Sequence, residues 1–144
     1  MSFSDTERLE IARTYCLAAI VNGYQFSQKL GKAEEYAKSQ GVNAAQIVKR
    51  IFGKDKNYAM RYLLMLGVSL GVPQPKETKG KKFEAECNPD NCGYYLTARI
   101  NGVTDFCPNF CEPFLNTYCE EFGISVKVEP PKNGKNGKIE FKVG

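Results

Sequence analysis

Phe83-Glu-Ala-Glu-Cys87-Asn-Pro-Asp-Asn-Cys92-Gly-Tyr-Tyr95-Leu-Thr-Ala-Arg-Ile100 is the stretch at which this chain changes period. Upstream, apolar residues recur every three or four positions. Here they alternate, over 83–87 and again over 95–100, around an Asn-Pro-Asp-Asn-Cys-Gly turn. Alternation at period two marks half-buried strands, and the turn predicts that the two runs pair. The same stretch opens a run of cysteines that continues as Cys107-Pro-Asn-Phe-Cys111 and ends at Cys119, so that five of the six fall between residues 87 and 119.

Toward the N-terminus the pattern is helical. Ser4-Asp-Thr-Glu7 is a capping box, in which the serine oxygen accepts from the Glu7 amide and the glutamate reaches back. Leu9, Ala12, Cys16, Ala19 and Ile20 follow at helical spacing until Gly23, which predicts the end of a first helix. Further helices are expected over 32–40, closed by Gly41, over 44–52, stopped by Gly53, and from an Asp55 cap to Gly71, with Pro73 and Pro75 barring continuation. Pro73 to Lys82 reads as a linker or exposed loop. Toward the C-terminus, 114–122 reads as a helix. Residues 124–129 and 138–143 alternate as two more strands, joined by a loop with Asn-Gly turn signals. The expected fold is a single α+β domain over 1–144. A helical half (1–72) packs on a Cys-rich half (83–144), whose small antiparallel sheet is made of two strand pairs separated by a helix.

Composition narrows the chemistry. The chain has no histidine, so no imidazole base or ligand is available, and a transition metal would have to be held by thiolates. Forty-two per cent hydrophobic and 25 per cent charged residues are ordinary globular values. No 18-residue apolar run exists, which predicts no membrane span. The charged first residues do not resemble a secretory signal, and a cytoplasmic location with reduced thiols is expected. The net charge of +4 is mild. The lysines of 76–82 and 132–142 are interrupted by Gly, Thr and Asn and hold no arginine, so solvated loops are expected there rather than a nucleic-acid surface.

Two knuckles, Cys87/Cys92 and Cys107/Cys111, could together close a four-thiolate site for zinc or an iron–sulfur cluster. Placing the next helix's start near Glu112, with Pro113 at its first position, leaves Cys107 and Cys111 on a loop before a helix N-terminus, where thiolates are favoured. Cys16 and Cys119, on helices with apolar neighbours, read as core.

The elements Phe106-Cys107-Pro108-Asn-Phe110, Glu-Glu-Phe122-Gly123, Ile-Ser-Val-Lys-Val-Glu129 and Lys-Ile-Glu-Phe141-Lys-Val resemble the C-terminal half of 4-vinyl reductase-like domains, small-molecule-binding modules. The resemblance covers roughly residues 83–143. It implies a hydrophobic ligand in an apolar pocket between the helical half and the sheet, with Tyr62, Tyr95, Phe106, Phe110 and Phe114 as candidate walls. Zinc-binding members use the Cys-Pro cysteine, a strand-end glutamate and two later cysteines. Cys107 and Glu129 match the first two, and the later two are missing.

The expected function is therefore non-catalytic binding or sensing of a small hydrophobic molecule, with a thiolate metal site. Two alternatives stand beside it. One is a helix-turn-helix regulator, from Tyr36-Ala37-Lys-Ser-Gln-Gly41-Val42-Asn-Ala-Ala-Gln-Ile47-Val, with Asn43, Gln46, Lys49 and Arg50 facing DNA. The other is an accessory subunit of a larger enzyme complex. Unpaired sheet edges and the apolar helix over 58–70 predict a homodimer or a subunit of a complex.

Overall fold

The computed structural model describes residues 2–144. The capping box forms as expected: the Ser4 amide donates to Glu7 Oε2 at 2.7 Å, and the Glu7 amide to Ser4 Oγ at 3.2 Å. From it runs α1 (Asp5–Lys29), followed by α2 (Ala33–Phe52) and α3 (Lys56–Leu70). Asp55 caps α3 through the Asn57 amide at 2.7 Å, and Gly71 closes it in the left-handed conformation.

Two of the expected helix ends are absent. α1 continues through Gly23 and α2 through Gly41. Both glycines are sites of close approach. A β-carbon on Gly23 would run into the Tyr36 ring. One on Gly41 would stand 2.6 Å from the Phe114 carbonyl oxygen and 3.2 Å from the Tyr118 amide. Glycine here lets two helices touch at backbone distance. With no break at Gly41, 36–48 lies within one continuous helix and contains no helix-turn-helix turn.

α1 also buries a different face from the one its spacing suggested. Leu17, Val21, Tyr24 and Ser27 point inward, while Leu9, Cys16 and Ala19 are exposed and Ile20 is half-buried. Cys16 is therefore a surface thiol, not core; Cys119 is fully buried.

The sheet has four antiparallel strands in the order β1 (Lys76–Glu77), β2 (Lys82–Cys87), β4 (Gly137–Lys142) and β3 (Ser125–Glu129). The α+β class holds, but one strand pair is different. Residues 95–100 lie in a helix, α4 (Gly93–Ile100), and β2 pairs instead with β4 and with the two-residue edge β1 inside the supposed linker. Gly93 decides this locally: its amide donates to the Gly71 carbonyl at 3.0 Å, and a β-carbon there would overlap the Leu70 carbonyl oxygen and stand 3.1 Å from Leu17, so no side chain fits. From there Ala98 turns inward and Ile100 outward. The C-terminal pair forms as expected, with Val126 opposite Phe141 and Val128 opposite Ile139. Its loop turns at Asn133-Gly134, both at positive φ.

Cys107–Cys111 is a π-helical turn that runs directly into α5 (Glu112–Glu120). The expected loop is thus a widened helix. The Glu112 amide reaches back five residues to the Cys107 carbonyl, so Pro113, which has no amide hydrogen, enters the helix just after the ladder has been stretched. One apolar cluster joins α2, α3, α5 and the sheet. A second joins α1, α2, α4 and the π-turn around Tyr24, Phe106 and Phe110.

Candidate functional site

The four knuckle cysteines reach one place from three elements. Cys87 ends β2, Cys92 precedes the first turn of α4, and Cys107 and Cys111 begin and end the π-turn. All four line a single cavity of about 100 Å³ between α3, the sheet, α4 and the π-turn. Leu63, Leu66 and Leu70 of α3 close one side and Ala85, Ile139 and Phe141 of the sheet another. No acidic or basic side chain of the described residues lines it; Asn88 and the tyrosines 94 and 95 are its only other polar groups.

Of the expected ligand-wall residues, Tyr95, Phe106, Phe110 and Phe114 line this cavity. Tyr62 does not: its ring stacks on Tyr118 at 5.9 Å, deeper between α3 and α5. Tyr94 was missed. Its ring packs on Phe106 at 5.4 Å, and burial pushes its hydroxyl far above the usual tyrosine range. Glu129 stays outside on the edge strand, paired with Lys127 at 2.6 Å, so the structure does not bring it to Cys107.

A ladder of aromatic rings backs the π-turn. Phe106, Phe110, Phe114, Tyr118 and Phe122 follow one another every fourth residue, with successive centroids 4.6, 5.9, 6.3 and 5.3 Å apart. A four-residue period overshoots a 3.6-residue helix by about 40° at each step. The π-turn absorbs an extra residue where the ladder starts. The start is also held by polar contacts outside the cavity: Gln28 and Asn109 both donate to Asp105 Oδ2, at 3.2 and 2.9 Å.

The thiols are not equivalent. Burial first, then the neighbouring sulfurs Cys107 and Cys92, raise Cys87 from 9.0 to about 12. Burial also raises Cys92, partly offset by the amides of Tyr95 and Tyr94, which face its sulfur. Cys107 is the exception. The adjacent Cys111 thiol donates toward it and holds it below the ordinary thiol value, while Cys111 itself is driven up by that bond and by burial. Of the two, Cys107 is the more easily ionised.

Among the described residues no three Cys, Asp or Glu side chains stand close enough together to hold a single metal ion. All six cysteines are free thiols. Among the described residues no helix is long and apolar enough to cross a membrane. No known protein family, curated protein or solved structure matches this chain, so the likeness to 4-vinyl reductase-like domains rests on the quoted residues alone.

Proposed function

We propose that this chain is a binding domain that holds a thiolate-ligated metal centre at the sulfur side of its cavity and receives a small hydrophobic molecule against the aromatic side. The observation that carries the reading is the convergence of four cysteines, spread over 25 residues of sequence, on one cavity otherwise walled by apolar side chains. Burial and the neighbouring sulfurs hold the protons on these thiols, and a bound cation would reverse that by stabilising the thiolates together. Soft thiolate sets of this kind select zinc, copper(I) or iron–sulfur centres.

The apolar molecule is supported by the same lining. A cavity of about 150 Å³ lined by aliphatic and aromatic groups admits a benzene-sized guest, and this one, at about 100 Å³, is of that order. The test uses the full chain in reducing buffer. Metal content and thermal melting are measured with and without a chelator, and then with toluene as the apolar probe. The reading expects metal that a chelator removes with loss of melting temperature, and a toluene-dependent rise that is lost in Ala85→Leu, which fills the cavity. A chain that binds no thiophilic metal and does not respond to toluene would overturn it.

We further propose that the working form is a homodimer built on α1. From Thr14 to Gln28 that helix carries no charged residue, yet Tyr15 and Phe26 are 76% and 65% exposed on the face away from the core, with Ile11 beside them. An antiparallel second copy would set the acidic first turn, with Asp5 and Glu7, against the basic last turn at Lys29.

A further inference from the structure

We propose that the turn between α2 and α3 is a membrane-docking tip, which lies against the surface of a bilayer rich in anionic lipids. It uses neither the thiol-lined cavity nor the outer face of α1, and it stands or falls independently of the readings above.

Charge is the first observation. Residues 47–61 hold five basic side chains, Lys49, Arg50, Lys54, Lys56 and Arg61, and a single acidic one, Asp55. The rest of the chain has fifteen of each sign, so the net charge of +4 resides wholly in this segment. The one carboxylate is engaged by the Asn57 amide at the start of α3. Lys49 pairs with Glu121, and Lys56 donates to the Gly123 carbonyl at 3.1 Å. Arg50, Lys54 and Arg61 are exposed, and none of them has an acidic partner among the described residues.

Beside these cations the turn shows apolar surface to solvent. Ile47 and Ile51 lie one helical turn apart on α2, and Ile51 is 65% exposed. Phe52 and Tyr58 close the turn, their rings stacked at 4.9 Å and both still exposed. Between them Gly53, at φ 73°, has nothing within 4 Å of where a β-carbon would stand. The turn therefore projects into open space.

That shape selects among anionic partners. An acidic amphipathic helix is bound by laying its apolar face in a groove. A single nucleic-acid strand follows a basic groove and stacks its bases on aromatic faces. The thiol-lined cavity and a second cleft beside Tyr24 and Asp105 both lie elsewhere, with no lining residue from 47–61. The Tyr58 ring already carries Phe52 and, 5.7 Å from its centroid, the Arg61 guanidinium. A bilayer surface requires no groove. Ile51 and Phe52 can enter the headgroup layer while the arginine and lysine stems lie along them and hold their charges at the lipid phosphates.

The test floats the full-length protein with vesicles of phosphatidylcholine alone and of phosphatidylcholine mixed with phosphatidylserine. Binding is expected to the phosphatidylserine vesicles only, and to weaken as salt is added. The chain has no tryptophan, so Phe52→Trp provides a single reporter at the tip, whose emission should shift to the blue on binding. Arg50→Glu combined with Lys54→Glu should lower vesicle affinity by at least about 25-fold, about fivefold for each basic residue lost. Lys79→Glu combined with Lys135→Glu makes the same change in net charge at exposed positions elsewhere and should keep most of the binding. Circular dichroism and melting show whether both double variants are folded. No binding, equal binding to the two kinds of vesicle, or an equal loss in the two double variants would each overturn the proposal. So would a tryptophan emission that responds to a single-stranded oligonucleotide or an acidic peptide and not to vesicles, which would give the tip to that class of partner.

Discussion

The Tyr118 hydroxyl donates to the Ala59 carbonyl at 2.7 Å, tying α5 to α3 in the interior, 59 residues apart in sequence. The Ala59 oxygen also belongs to the ladder of α3, so it keeps a backbone donor if the tyrosine hydroxyl is lost. Tyr118→Phe is therefore expected to lower stability by about 1 kcal/mol, the net worth of one hydrogen bond. Tyr118→Ala, which removes a fully buried ring, should lower it by about 3–5 kcal/mol. Urea titration of the two variants measures the ratio, and equal losses would mean that the hydroxyl, not the ring, secures this contact.

Gly41 gives a sharper contrast. On propensity alone, alanine in a helix interior gains about 1 kcal/mol over glycine. Here the added methyl would meet the Phe114 carbonyl at 2.6 Å and the Thr117 Cβ at 3.1 Å. Two backbones would have to separate, and Gly41→Ala should destabilise by about 2 kcal/mol or more. A variant as stable as the parent in thermal melting would mean that α2 and α5 do not approach this closely at Gly41.

The two glycines show where sequence reasoning stopped. Gly23 and Gly41 carry the same letter as Gly71, and only Gly71 terminates its helix. What separates them is a partner distant in sequence, Tyr36 for one and the start of α5 for the other, which no local pattern reveals. The same limit explains α4. Tyr95 to Ile100 alternates well enough for a strand, and its helical state is decided by the space Gly93 finds under Leu70. By contrast the caps at Ser4 and Asp55, the α+β class, the last hairpin and its Asn133-Gly134 turn were legible, because each depends on neighbours in the chain. In the cavity, the four cysteines and four of the five expected wall residues meet. The period-four aromatic series was present in the sequence and would have pointed to a widened helix in place of a loop before Glu112.

Cys119 makes the fold sensitive to alkali. Burial raises its thiol from 9.0 to about 12, so the unfolded chain releases this proton first as pH rises. Below about pH 9 both states hold the proton and the group adds no pH dependence. Between about 9 and 12 the unfolded state binds fewer protons, and stability falls by up to about 4 kcal/mol from this group. Cys119→Ala should melt less steeply with pH over that window than the parent. Identical slopes would remove Cys119 as a cause.

The α1 face is tested by charge. Tyr15→Glu places a carboxylate on an exposed position, so the monomer fold should survive. Sedimentation velocity at low micromolar protein should then show a dimer for the parent and a monomer for the variant. A parent that sediments as a monomer would leave α1 without its second copy.

The π-turn acts as a slack loop wound into a helix. It holds one residue more than an ordinary helical turn would, and α5 continues from it without a break. Removing a single residue from Pro108 to Phe110 would let the turn relax to ordinary pitch while α5 kept nearly its present angular phase, because the surplus is taken up inside the turn. Leu115, Tyr118 and Cys119 would still face α2, α3 and the sheet. Cys107 and Cys111 would stand one position closer in the chain, so a shortened protein would keep its core and lose the arrangement of its two sulfurs.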